Sequence, residues 1–199
     1  MANTPIDLTA LVGSRICHDL ISPLGAISNG VELLSMTGAL AGPEMALISE
    51  SVENANARIR FFRIAFGAAG PDQEIGRTEI LSVLNDVTRG GRLRIDWRPH
   101  DVCARQDVKL AFLLIQCLES AMPYGGKIEV SEDDDHWTLT GSAEKMKIVP
   151  ETWAVLADVS GALSVSASEV HFGLVPELLQ RTGKVLETVL AETRIEISF

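Results

Sequence analysis

The run Arg15-Ile16-Cys17-His18-Asp19-Leu20-Ile21-Ser22-Pro23-Leu24-Gly25-Ala26-Ile27-Ser28-Asn29-Gly30-Val31-Glu32-Leu33-Leu34 carries two helical stripes at once. Cys17, Leu20, Leu24, Ile27, Val31 and Leu34 advance by alternate steps of 3 and 4, the seam of a helix that packs against other helices. Arg15, His18, Ser22, Gly25, Asn29 and Glu32 step in the same way and are polar or small throughout, so this second stripe is expected to face solvent. His18 falls just off the seam, on the exposed side.

Reading outward, the first helix starts near Asp7 or Thr9 and continues to about Met36, where Thr37-Gly38 and Gly42-Pro43 supply breaking and turn residues. A second helix begins near Glu44. Its seam is the cleanest periodicity in the chain: Met45, Ile48, Val52, Ala55, Ile59, Phe62 and Phe66 alternate steps of 3 and 4 over three heptads before Gly67 to Pro71 end it. Met36, Met45 and Phe62 read as core residues. Two long antiparallel helices cannot enclose a core between two narrow stripes, so pairing with a second copy into a four-helix bundle is the expected completion. Residues 1–70 are therefore expected to form a helical hairpin that mediates homodimerisation.

From 71 to 199 the pattern mixes helices and strands. Thr78 to Arg89, Asp107 to Met122, Glu151 to Ala157 and Phe172 to Thr182 read as helices. Arg92 to Arg98, Lys127 to Ser131, His136 to Thr140, Val185 to Leu190 and Arg194 to Phe199 read as strands. Helices on one face of a mostly antiparallel sheet make the fold class α+β, with this second domain an α/β sandwich.

The chain has 199 residues, 46% of them hydrophobic and 22% charged, as in an ordinary globular protein. No stretch reaches the roughly 18 to 20 uninterrupted apolar residues of a membrane span, and a basic segment followed by an apolar one is missing at the N-terminus, so a cytoplasmic location off the membrane is expected. A formal net charge of -10 would repel a phosphate backbone, which disfavours nucleic-acid partners. Cys17, Cys103 and Cys117 are widely spaced and read as small apolar residues rather than as disulfides or zinc ligands. Glu132-Asp133-Asp134-Asp135 reads as a solvated turn between strands, without the ligand spacing of a calcium loop.

His18-Asp19-x-x-Ser22-Pro23-Leu24, followed by Asn29 and Gly30 and framed by a bundle seam, resembles the phosphoacceptor motif of histidine kinase dimerisation domains. Gly125-Gly126-Lys127-Ile128 is similar to the segment after the first ATP-binding helix of the kinase ATPase (Bergerat-type) fold. Phe172-Gly173-Leu174 and Thr182-Gly183-Lys184-Val185-Leu186 are similar to that fold's last helix and strand. The departures are as informative. The chain has no Asn after Asn85 to hold magnesium, Gly141-Ser142-Ala143-Glu144-Lys145 stands where an Asp-x-Gly-x-Gly run would hold adenine, and Asp158-Val159-Ser160-Gly161 is only a near miss. The glycine-rich phosphate lid is reduced to Gly173, so few backbone N–H groups could cradle a triphosphate. The whole, including Arg58 to Gly67, resembles the ChpT-type histidine phosphotransferases of alphaproteobacterial phosphorelays.

That resemblance implies a phosphoacceptor domain over 1–70 and a degenerate ATPase-like domain over 71–199, without ATP and without autokinase activity. It also implies a phosphoryl shuttle between receiver aspartates of a hybrid histidine kinase and of cell-cycle response regulators. His18 is then the nucleophile and phosphoacceptor. The partner receiver would bring its own Mg2+ and lysine, so no intrinsic cofactor or metal is expected. Asp19 could accept the imidazole N–H and fix the tautomer, or simply solvate the helix. Ser22, one turn on, could bond the phosphoryl group; a plain surface serine fits as well. Arg15, one turn before, could neutralise incoming phosphate or form a salt pair across the bundle. Gly25 and Asn29 complete the stripe a receiver would meet, Gly25 giving room for close approach or being merely tolerated. Pro23 cannot donate to the Asp19 carbonyl and is expected to bend the helix. His100, His136 and His171 read as structural. The competing reading is a dimeric adaptor that docks receivers without phosphotransfer, and by resemblance Asp19 and Ser22 also fit weak phosphatase action on receivers.

Overall fold

The structure, a computed structural model, describes residues 8–37, 43–158 and 165–199. The expected breakers around Gly38 and Gly42, and the near miss at Val159 to Gly161, lie outside the described residues, as does the side chain of Cys17. Helix α1 spans Leu8–Thr37 and runs through Pro23, and α2 spans Pro43–Ala65. The two pack along each other as the hairpin the periodicity predicts.

The seams do not disappear inside this single hairpin. Leu24 and Val31 of the α1 seam are exposed, as are Met45, Val52 and Ile59 of the α2 seam, and Ile21 and Met36 beside the α1 seam are exposed too. Met36 and Met45 are therefore corrected from core to surface in the isolated chain. Phe62 is buried as expected. The last turns of α2 enter a core shared with the rest of the protein, where the ring of Phe61 lies 4.8 Å from that of Phe112, and Leu8, Leu11 and Ile16 of α1 pack partly buried against it.

The end of α2 is fastened by donors from the following unit. Lys109 Nζ donates to the Gly67 carbonyl at 2.8 Å, Arg105 Nε to that of Ala68 at 3.2 Å and Gln106 Nε2 to that of Ala69 at 3.3 Å. These hold the segment just past α2, and Arg105 Nη2 also reaches the Arg63 carbonyl at 3.4 Å, one of those a helix end leaves unpaired. Glycine is required at position 67, because a Cβ there would sit 2.2 Å from the Arg63 carbonyl oxygen. Arg60 adds a 2.7 Å contact to Asp86 across the same junction.

Beyond it follow β1 (Glu74–Gly76), α3 (Arg77–Thr88), β2 (Leu93–Trp97), β3 (Val102–Ala104), α4 (Arg105–Ala121), β4 (Gly126–Asp133), β5 (His136–Ser142), α5 (Pro150–Ala154), α6 (Val170–Thr182), β6 (Glu187–Leu190) and β7 (Arg194–Ser198). Five strands form one sheet in the order β2-β4-β5-β7-β6, antiparallel except for the parallel pair β2 and β4. Ile128, Val130, Trp137, Leu139, Ile195 and Ile197 point from the sheet into the core. Helix α4 crosses that face and is buried almost all round, from Val108 to Leu118 without a polar break except Lys109 and Gln116. This is the expected α+β arrangement. The acidic run is a hairpin turn, with Asp134 and Asp135 at φ of 49° and 63°. The short ribbon β1–β3, pairing Ile75 with Cys103, was not legible in the periodicity, since three residues are too few to show it.

Gly173 belongs to the interior of α6, where a Cβ would lie 3.1 Å from Leu8 and Val165 side-chain atoms. Its smallness serves packing between α6 and α1, which corrects its reading as the remnant of a phosphate lid. His171, in the first turn of α6, is 2% exposed and neither ring nitrogen has a hydrogen-bond partner among the described residues. Burial, with a smaller contribution from Arg15, pushes its pKa down to about 3. In the unfolded chain the ring titrates near its ordinary value of about 6.5, so between these limits the unfolded state binds more protons and stability falls as pH drops. Thermal melts of wild type and His171→Leu at pH 7, 5.5 and 4 test this. The wild type should lose stability over that interval more steeply than the variant; parallel losses would contradict it.

Candidate functional site

Helix α1 presents His18 with its side chain 81% exposed, beside an Asp19 carboxylate only 8% exposed. The ring nitrogen Nδ1 lies 3.2 Å from Asp19 Oδ1, and among the described residues no hydrogen bond engages Nε2. A buried carboxylate must be compensated. Arg15 Nε lies 3.0 Å and Arg58 Nη1 3.5 Å from Asp19 Oδ2, one from each helix of the hairpin. The Arg15 contact is ionic rather than a well-aligned hydrogen bond, since neither Nε nor Oδ2 satisfies hydrogen-bond geometry. Arg15 is fixed instead through Nη1, which donates to the Ser168 carbonyl at 2.8 Å.

That carbonyl belongs to a 3-10 turn, Ala167–Glu169, closed by a capping box between Ser166 and Glu169. Hydrogen bonds from Ser166 and Thr152 stabilise the Glu169 carboxylate and lower its pKa. A continuous chain of contacts thus runs from the C-terminal unit through Ser168, Arg15 and Asp19 to the exposed imidazole.

A groove of about 470 Å³ surrounds His18, and Asp19, Ser22, Asn54, Arg58 and Arg89 are among its walls. Arg89 comes from the turn after α3, where it pairs with Glu53 of α2 at 2.9 Å. The groove is therefore built jointly by the hairpin and the C-terminal unit. Its two arginines set positive charge near His18 in a chain that is acidic as a whole.

The structure thus brings His18, Asp19 and Ser22 into one groove, with Arg15 behind it. It does not bring Gly25 and Asn29 there. They stay exposed on α1 about 10 and 16 Å further along the helix axis, and nothing lies within 4 Å of a Cβ built at Gly25. Arg15 is corrected from a solvent-facing side chain to a tether, 20% exposed. Sequence reasoning missed Asn54, Arg58, Arg89 and Ser168 as neighbours of the site. Arg58 lay in a stretch singled out by resemblance, but its pairing with Asp19 depends on how α1 and α2 face each other.

Residues 77–194 match the family described as histidine phosphotransferase C-terminal domain. The chain belongs to this family. It is 38% identical over 152 residues to the protein phosphotransferase ChpT of Brucella abortus (strain 2308), a match covering 73% of this chain and 72% of that protein. The solved structure of a bacterial phosphotransferase superposes with a TM-score of 0.79 at 32% identity, over 100% of this chain and 98% of that one. As a histidine phosphotransferase of two-component signalling, this family member needs a histidine that a partner can reach. Of its four histidines, His171 is buried while His18, His100 and His136 are exposed. His100 is held by Glu132 at 2.5 Å, and His136 stands at the end of a strand. His18 alone combines exposure with a clamped carboxylate and a groove lined by arginines from two other elements.

Proposed function

We propose that His18 accepts a phosphoryl group from the aspartyl phosphate of a receiver domain in a hybrid histidine kinase and passes it to the receivers of response regulators. The observation that carries this reading is the 3.2 Å approach of His18 Nδ1 to Asp19, which leaves Nε2 facing outward on an exposed ring. With the Nδ1 proton donated to Asp19, the lone pair is on Nε2. Nε2 attacks phosphorus, the acyl P–O bond breaks, and the receiver carboxylate leaves; return transfer reverses these events. Such a loose phosphoryl transfer depends on alignment and charge neutralisation. Arg58, half-exposed in the groove, supplies positive charge, and Ser22 offers a hydroxyl.

Phosphoryl groups come from partners in this account rather than from ATP. The receiver brings Mg2+ with it, and no cofactor is intrinsic to the chain. Two features support this. Gly141 faces Leu118, with a Cβ there 2.9 Å from Leu118 Cδ2, so this glycine serves core packing; and Gln116, not Asn, stands on α4. Residues 1–70 act as the phosphoacceptor unit and 71–199 as the unit that braces it. The protein works in the cytoplasm, without nucleic acid.

Incubation with a phosphorylated receiver tests the assignment. Acid-labile label should appear on wild type, none on His18→Ala, and labelling of Asp19→Asn should be slower by about 10- to 100-fold, the cost of a misaligned nucleophile. Absence of label on wild type would favour the alternative, an adaptor that docks receivers without transfer.

The chain is further read as a homodimer whose two hairpins form a four-helix bundle. The exposed Leu24, Val31, Val52 and Ile59 support this, being seam positions that a second copy would cover. Sedimentation equilibrium should give twice the chain mass of 21.5 kDa, and Val31→Asp with Val52→Asp should give the single mass. A wild-type monomer at micromolar concentration would contradict the bundle.

A further inference from the structure

A second cavity, of about 460 Å³, opens between the hairpin and the C-terminal unit and shares Asp19, Arg58 and Val87 with the walls of the His18 groove. Its volume lies within the range of about 300–1,000 Å³ found for small-molecule sites. Phe61, Leu93, Ile95 and Ile115 give it apolar walls. Of the segments that resemble the kinase ATPase fold, only Gly125, just after α4, lines it; Gly141–Lys145, Phe172–Leu174 and Thr182–Leu186 do not.

Gln116 lines this cavity from α4 and is 6% exposed, yet its buried amide oxygen has no partner among the described residues. Leaving such a group unsatisfied is costly, so a primary amide among the buried apolar residues Leu113, Leu114, Ile115, Cys117 and Leu118 of α4 points to something that pairs with it. Arg92 stands at the rim, exposed and without an ion-pair partner among the described residues. Its backbone is pinned by Gly125, whose φ is 97° and where a Cβ would meet Arg92 Cβ at 2.5 Å. Arg58 adds a second, half-exposed guanidinium, which also pairs with Asp19, a carboxylate on the same cavity wall. Glu119, one turn beyond Gln116, is exposed by area but crowded enough that desolvation raises its pKa against the pull of Arg58 and Arg15. The cavity thus combines apolar walls, a deep amide able to donate and accept, and guanidinium groups at the mouth.

We propose that this cavity binds a small organic anion with a flat hydrogen-bonding ring, the class of purine nucleoside monophosphates. The Gln116 amide meets the donor and acceptor of a purine edge, a pairing suited to a primary amide. The apolar walls bury the ring, and Arg92 with Arg58 holds the single phosphate.

Calorimetric titration of the full chain with adenosine and guanosine 5′-monophosphate tests the site, with inorganic phosphate as control. At least one nucleotide should bind saturably, with one site per chain and at least about tenfold more tightly than phosphate. Gln116→Leu, which replaces the amide by an apolar group of similar size, and Arg92→Ala should each weaken binding about tenfold or more, while thermal melts confirm folding. His18→Ala should bind as wild type does, so the result stands apart from the phosphoacceptor assignment. No binding of either nucleotide, equal binding of phosphate, undiminished binding by both cavity variants, or loss in His18→Ala would each overturn the proposal.

Discussion

Everything specific to the site depends on one carboxylate that is hidden next to a ring that is not. Asp19 is 8% exposed and therefore needs cationic partners, which Arg15 and Arg58 supply from two different helices. Because Arg15 spends its terminal nitrogen on the Ser168 carbonyl, compensating Asp19 also ties α1 to the C-terminal unit. His18 gains a fixed orientation from this without being buried. An isolated exposed histidine would sample its rotamers freely.

The C-terminal unit is built to hold such a tether. Helix α4, buried on nearly every side, carries both the sheet and the end of α2, and the Phe61–Phe112 contact joins the hairpin to that core. Lys109, Arg105 and Gln106 fasten the carbonyls just past α2, so the base of the hairpin is rigid where the chain leaves it. The far half of the hairpin, by contrast, keeps its seam residues exposed. Rigidity near the groove and an uncovered apolar face away from it suit a protein that docks a partner at one end and pairs with a copy of itself along its length.

Much of this was legible in the sequence because it follows from periodicity. The two long helices, α4, the β4–β5 hairpin and the last hairpin announce themselves in runs of three-and-four or alternating apolar spacing, and the seam placed His18 on the open side. The misses share a cause as well. Met36 and Met45 looked like core because a seam says what a stripe will bury, not whether the burying surface lies in the same chain. Arg15 looked solvent-facing because its partner, Ser168, is 153 residues away. Arg58 and Arg89 entered the groove through the packing of α2 and α3, and neither contact has a signature in linear spacing. The parallel pair β2–β4 likewise needed the crossover by α4 to be known first.

The central claim is that Asp19, clamped through Arg15 to the C-terminal unit, holds the His18 proton on Nδ1 and leaves Nε2 as the nucleophile. Long-range 1H–15N correlation spectra of histidine-labelled protein measure this directly, with His18→Gln to assign the ring. The account predicts a protonated Nδ1 and a bare Nε2 in neutral His18, a preference that weakens in Arg15→Ala. A proton resting on Nε2 in the wild type, with Nδ1 bare, would contradict it.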